Sequence, residues 1–166
     1  MIQIRPERSE DVETIHALTV AAFKPMAYSS QTEAKIVDCL RAAGALTLSL
    51  VAVQDEALVG HVAFSPVTIN GCEGDWYGLG PVSVWPERQR QGIGQALIRD
   101  GLQRLKVLPA SGCVLLGNPN YYGRFGFEQD PDLIYRGAPA RYFQRLTLSG
   151  SSPKGEVRYH PSFEIF

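Results

Sequence analysis

The sequence predicts a mixed α/β fold of the α+β kind, with one central mixed sheet flanked by helices. Three observations carry that expectation. Two segments of helical periodicity precede a block of three β-type runs, a polar glycine loop joins the last of these runs to a further helix, and a short apolar run follows that helix directly.

Residues 2–5 alternate and are stopped by Pro6, which reads as a first strand. Ser9 stands ahead of Glu10, Asp11 and Glu13. It is expected to cap a helix whose apolar positions are Val12, Ile15, Leu18 and Ala22 and which ends near Phe23. Pro25 and residues 28–30 form a loop. Ser30 and Glu33 have capping-box spacing before Ile36, Val37 and Leu40, so a second helix should run to about Gly44. Residues 46–53 and 58–69 are rich in β-branched and apolar side chains, with Asp55-Glu56 between them and Asn70-Gly71 after them. They predict consecutive antiparallel strands joined by tight turns. A third strand is expected over 76–84, where Gly78, Gly80 and Pro81 point to a bulge or a close backbone approach. Ile93, Leu97, Ile98, Gly101, Leu102 and Leu105 then predict a helix up to Pro109, and residues 113–116 a buried strand. A Tyr/Phe-rich turn, a strand over 140–148, a Gly/Ser/Pro loop and a short strand near Val157 complete the chain.

With 166 residues, 45% hydrophobic and 20% charged, the chain is expected to form a single domain over 1–166. The 16 basic and 17 acidic residues nearly cancel, which argues against a nucleic-acid or anionic-membrane partner. Cys39, Cys72 and Cys113 are odd in number and widely spaced, as free thiols of a reducing compartment would be. The start of the chain shows no signal region, and no window approaches the roughly 18 apolar residues of a membrane span. The expected location is the cytoplasm.

Residues 82–97 are the most informative, because there a strand passes through a polar loop into a helix. Gly92 and Gly94 remove side chains where a ligand could approach the main chain. The unpaired first-turn N–H groups and the helix dipole make an anion site suited to a pyrophosphate. A tight turn with close helix packing is the other reading of the same spacing. A Walker loop would need Gly-Lys-Ser/Thr. A dinucleotide fingerprint would need a third glycine where Gln95-Ala96-Leu97 stands, directly after a first strand.

With Gln89, Gly92 and Gly94, the loop resembles the signature of the GNAT (Gcn5-related N-acetyltransferase) superfamily. Ile4-Arg5-Pro6 with Glu10-Asp11 looks like that family's opening, and Tyr122-Gly123-Arg124-Phe125-Gly126-Phe127 is similar to its late Tyr-x-x-x-Gly-Phe motif. The stretches 32–37, 60–67 and 118–127 look most like the YhbS-type branch of bacterial N-acetyltransferases. The resemblance implies acetyl-CoA as cosubstrate, a small-molecule or protein amine as acceptor, and direct attack in a ternary complex. A catalytically silent acyl-CoA-binding module is the alternative. Many members pair as dimers, which makes a homodimer an implied assembly.

By the same resemblance, the main chain of Val82, Ser83 and Val84 holds the pantetheine arm and points an N–H at the thioester oxygen. Gln89, Arg90, Gln91, Gly92, Ile93, Gly94 and Gln95 hold the pyrophosphate, and Asn118 contacts the pantetheine amides. Tyr122 matches the tyrosine that reprotonates the departing sulfur, since a phenol with a pKa of about 10 is protonated at neutral pH. Many relatives carry a basic glutamate on the fourth strand, but residues 76–84 contain no carboxylate. Glu33 is the candidate base, with capping of Ser30 as its structural reading. His61 reads first as a hydrogen-bonded strand histidine, and Ser65 lacks any triad order or nucleophile elbow. Tyr121, Tyr122, Phe125 and Phe127 also read as a packing cluster. Glu33, His61, Asp75 and His160 have no metal-ligand spacing, so no metal is expected.

Overall fold

The computed structural model describes residues 1–165 and arranges them as an open eight-stranded sheet with helices on both faces. Across the sheet run β1 (Ile2–Pro6), β2 (Leu48–Gln54), β3 (Ala57–Ile69), β4 (Cys72–Val84), β5 (Gly112–Leu116) and β7 (Phe143–Thr147). β8 (Gly155–Arg158) joins the end of β3, and the two-residue β6 (Leu133–Ile134) joins β8. All ladders on the main path are antiparallel except β4/β5. Both predicted hairpin turns use left-handed residues, with φ of 52° and 65° at Asp55 and Glu56, and 53° and 75° at Asn70 and Gly71.

Two helices, α1 (Val12–Phe23) and α2 (Glu33–Ala42), cover one face, where Ile15 and Val37 pack on Val51. The opposite face receives α3 (Ile93–Val107) on Leu50, Ala52, Val62 and Phe64. Two glycines let α3 come close. A Cβ on Gly60 would lie 2.9 Å from Ile93 Cγ2, and one on Gly101 would lie 2.5 Å from Cζ of the buried Phe64. A helical glycine costs about 1 kcal/mol against alanine, whereas each buried large apolar side chain gains roughly 1.5–3 kcal/mol. With Ile93, Leu97, Ile98, Leu102 and Leu105 all buried, packing decides where α3 sits.

Several expectations are corrected. Ser9 does not cap α1: residues 9–11 form a 3₁₀ turn, and the Asp11 carboxylate accepts from the Arg8 N–H at 2.7 Å and from the Arg5 guanidinium. Ser30 does not close a capping box with Glu33, because Ser29 Oγ donates to Glu33 at 2.7 Å instead. β4 starts at Cys72 rather than 76, its first residues being an exposed polar ribbon that pairs with β3 beyond the core. β7 starts at Phe143 because residues 140–142 make a 3₁₀ turn closed by the Tyr142 N–H on the Pro139 carbonyl. β6 was not expected: it is two residues long, and its register comes from β8 rather than from any local periodicity.

Candidate active site

β4 runs beside β5 at its middle and then parts from it. Trp76, Tyr77 and Gly78 are in register with Gly112, Cys113 and Val114, and no pair follows. On its other side β4 stays with β3, with Val62 facing Val82 and Phe64 facing Leu79. One extra β4 residue is thereby accommodated around Gly80 and Pro81, which is the bulge the glycines predicted. β5 meanwhile follows β7 through Leu115 and Leu116. From Leu79 to Val84 the edge of β4 that faces β5 therefore has main-chain groups with no strand opposite among the described residues, and the sheet opens into a wedge.

The loop from Gln89 to Gly92 lies exposed at the wide end of this wedge, with φ of 65° at Arg90 and 83° at Gly92, the N-cap of α3. The two glycines differ in what they do. Gly92 is required by its left-handed backbone and has open space around it. Gly94 marks where three elements meet, since a Cβ there would lie 3.6 Å from Tyr121 Oη and 4.0 Å from Val82 Cγ1. Ile93 is buried in the core, so only its main chain faces the loop. Gln89 folds back, donating to the Val84 carbonyl at 3.1 Å, and Arg88 donates to Gln54 Oε1 at 3.1 Å. Arg90 and Gln91 project outward, and Gln95 is half-buried.

Tyr122 ends the short α4 (Pro119–Tyr122), placed directly after β5 by Gly117 and the N-cap Asn118. The Asn118 carbonyl oxygen accepts from Asn120 N–H at 2.9 Å, so this side chain serves first as a cap. The ring of Tyr122 sits against Tyr121, Phe125 and Phe127, with centroids 4.9, 6.2 and 6.2 Å away. The packing-cluster and motif readings thus describe the same residues. Burial pushes the Tyr122 phenol up to about 12, and Tyr121 and Tyr28 push it the same way. Tyr28 is exposed on the α1–α2 connection, which brings that connection to the phenol.

Glu33 heads α2 with its carboxylate held by Ser29, the residue after Tyr28. The carboxylates of β4, Glu73 and Asp75, lie at its exposed hairpin end, away from the wedge. In the stretch 134–143, Tyr142 stays exposed while Tyr135 and Phe143 turn inward: Tyr135 packs on Phe143 and meets Tyr159 edge-on, at 5.5 and 5.1 Å, within a second core around Trp76 and Val114. His61 is buried, with Nε2 2.8 Å from Ser49 Oγ. Sequence reasoning missed Gly117 and read Tyr121 as packing alone, because the contacts of both depend on separate elements coming together. It also missed Gln144, whose Nε2 donates to the Gly117 carbonyl at 3.0 Å. Cys39, Cys72 and Cys113 are free thiols, as expected. Among the described residues no group of three or more His, Cys, Asp or Glu could hold a metal ion, and no helix is long and apolar enough to cross a membrane.

A parallel strand pair that parts beside a glycine-headed helix is a feature of a class of folds, and residues 3–129 match the family model described as "Acetyltransferase (GNAT) domain". The chain belongs to the GNAT acetyltransferase family. Its branch is the YhbS-like one. It is 41% identical, over 98% of its length and 99% of the relative's, to the uncharacterized N-acetyltransferase YhbS of Escherichia coli K12. Among solved structures it matches a GNAT family acetyltransferase from Brucella melitensis in complex with acetyl-CoA, at 53% identity, a TM-score of 0.89 and 98% coverage of both chains. It also matches E. coli YhbS in complex with CoA at 37% identity and a TM-score of 0.90, covering 99% of this chain and 93% of that one.

Proposed function

We propose that the protein transfers the acetyl group of acetyl-CoA to a primary amine, on a small molecule or a protein, by direct attack in a ternary complex. The observation that carries this reading is the unpaired edge of Val82, Ser83 and Val84 leading straight into the Gly92-headed helix. A pantetheine arm carries amide groups and can lie along a strand edge as a further strand would, while its pyrophosphate lies at the N-terminus of a long helix. The two relatives solved with acetyl-CoA and CoA support the same ligand here.

In this reading a main-chain N–H of β4 polarises the thioester carbonyl and the main chain from Arg90 to Gln95 holds the pyrophosphate. Asn118 keeps its Nδ2 for a pantetheine carbonyl. Tyr122 stands at the sulfur. With the phenol at about 12 and an ordinary thiol near 8.5, full proton transfer to a thiolate is uphill in the unliganded site. Tyr122 therefore acts chiefly as a hydrogen-bond donor while charge develops on sulfur, and completes the transfer as coenzyme A departs. Glu33, beside the connection that carries Tyr28, contacts the acceptor amine in this reading.

Isothermal titration with acetyl-CoA, with ATP and NAD as competitors, tests the ligand. Binding displaced by neither nucleotide is expected, followed by amine-dependent release of coenzyme A in an acceptor screen. A folded protein that does not bind acetyl-CoA would refute the reading. Binding without turnover of any amine would instead favour the silent acyl-CoA-binding module, to which the absence of a carboxylate from residues 76–84 lends some support.

A further inference from the structure

Beneath α1 and α2 the sheet carries a polar line that the chemistry above leaves unused. Glu7, in the connection after β1, is gripped by Arg41 of α2, with Nε to Oε2 at 2.8 Å and Nη2 to Oε1 at 2.9 Å, and it accepts the hydroxyl of Ser49. Ser49 Oγ in turn meets His61 Nε2. These partners settle where the protons are. A carboxylate can only accept, so Ser49 gives its one hydrogen to Glu7 and must accept from His61. His61 is thereby the Nε2–H tautomer, with Nδ1 a bare lone pair.

That lone pair is fully buried and has no hydrogen-bond partner among the described residues, and the same holds for Ser83 Oγ and Ser65 Oγ. Ser83 is the cross-strand partner of His61, and facing Cβ atoms in such pairs are about 4.5–5.5 Å apart. Ser65 shares their face of the sheet, four residues further along β3. An acceptor and one hydroxyl, His61 Nδ1 and Ser83 Oγ, thus meet directly behind the open segment of β4, whereas Ser65, opposite Gly78, stands about 13 Å further along where β4 is still paired with β5. At the other end, Glu7, Arg41 and Ser49 line a surface hollow with Pro6 and Thr47, so the line runs from behind the wedge to solvent.

We propose that His61, Ser49 and Glu7 form the outlet for the proton that the nucleophile sheds, with His61 Nδ1 as the receiving atom. The inference rests on the acetyl-transfer reading. As the amine nitrogen bonds to the thioester carbon and the carbon–sulfur bond breaks, the surplus proton on nitrogen passes through one water, held by Ser83 Oγ and Nδ1, onto Nδ1. The Nε2 proton moves to Ser49 Oγ, and the Ser49 proton moves to Glu7 and on to solvent. The thiolate takes its proton from Tyr122, which recovers one from water. After product leaves and the cleft opens, Nδ1 releases its proton through the cleft and Nε2 is reprotonated from the Glu7 side, so the line draws the proton away only while the carbon–nitrogen bond forms, and the reset restores the resting tautomer.

The charged groups that bear on His61 are Glu7 and Arg41, and its facing strand positions are Val51 and Ser83. Arg41 also binds Asp38 at 3.2 Å, and Asp38 holds His16 of α1 at 2.7 Å. Burial, with Glu7 opposing it and Arg41 assisting, holds the imidazole down at about 4. The ring therefore relays protons at neutral pH without resting as a cation.

The first test is ¹⁵N-histidine NMR of the acetyl-CoA-bound protein at pH 7. The Nε2–H tautomer is expected for His61, and an Nδ1–H tautomer or an imidazolium would overturn the proposal. The second is hydrolysis of acetyl-CoA with water as acceptor, which must shed a proton in the same way. His61→Gln and Ser49→Ala should each lower the rate about 10²-fold at pH 7, with the Kd for acetyl-CoA unchanged. The rate should then climb about tenfold per pH unit as bulk hydroxide replaces the outlet. Wild-type rates and pH dependence in both variants would sink the relay and leave acetyl transfer standing. So would loss of fold or cofactor affinity in His61→Gln alongside a fully active Ser49→Ala. A wild type that binds acetyl-CoA but turns it over neither with water nor with any amine of the acceptor screen would remove both readings together.

Discussion

The ring of Tyr122 occupies the space that a side chain on Gly117 would need: a Cβ at 117 would lie 2.8 Å from Tyr122 Cδ2. Gln144 holds the Gly117 carbonyl from the other side, so the last residue before α4 sets where the phenol stands. Gly117→Ala should cost about 1–3 kcal/mol of stability as an overpacking change. Acetyl-CoA affinity should be nearly kept, and turnover should fall about 10²-fold because the phenol is displaced. Calorimetry and steady-state kinetics on the same variant separate these effects. Unaltered turnover would mean that the ring position is unimportant.

Tyr122→Phe should leave cofactor binding intact and lower turnover about 10²-fold or more. The pH profile adds a sharper check. Because burial raises the phenol to about 12, Tyr122 stays protonated, and its contribution stays present, at every pH below that value. No descending limb near pH 10 should come from this residue. A limb there that disappears in Tyr122→Phe would show that the site is wetter than the structure has it.

Gly92 and Gly94 should respond differently to the same substitution. Gly92→Ala puts a side chain on a left-handed residue and should cost about 1–2 kcal/mol, measurable by urea unfolding. Gly94→Ala meets only ordinary contacts and should bind acetyl-CoA like the wild type, whereas Gly94→Glu should abolish binding by filling and charging the helix start. Equal titration curves for wild type and Gly94→Glu would place the pyrophosphate elsewhere.

The depressed pKa of His61 also makes a prediction about folding. The unfolded chain takes up this proton near pH 6.5 and the folded protein only near 4. Between those values the unfolded state binds more protons, so stability falls as pH drops through the window and rises as pH is raised. Unfolding measured across pH 4–7 should show this slope, and His61→Gln should flatten it.

Local chemistry made much of the site legible in the sequence. Gly92 announces a left-handed turn that favours glycine, Gly80 and Pro81 announce a bulge, and the spacing from Ile93 to Leu105 announces α3. What could not be read is set by contacts between distant segments. Whether Ser29 or Ser30 meets Glu33 depends on the path of the α1–α2 connection. The line Glu7–Ser49–His61 joins three elements that share no motif, and the parting of β4 from β5 depends on register. The carry-over of Asn118 and Gln89 as ligand contacts is weakened by the side-chain bonds each already makes.

The parting of β4 and β5 has a mechanical consequence. Among the described residues, the strands from β1 to β4 and the pair β5/β7 are joined along the main path of the sheet by three facing residue pairs, 76–78 with 112–114, and by the Ser111 N–H on the Asp75 carbonyl beside them. A ligand lying in the opening would act as a seam, lending its amides to both banks and stitching two half-sheets into one elastic body. Occupancy would then be felt as stiffness along the whole sheet, and amides on β4 and β5 distant from the ligand would exchange with deuterium more slowly once the seam is closed.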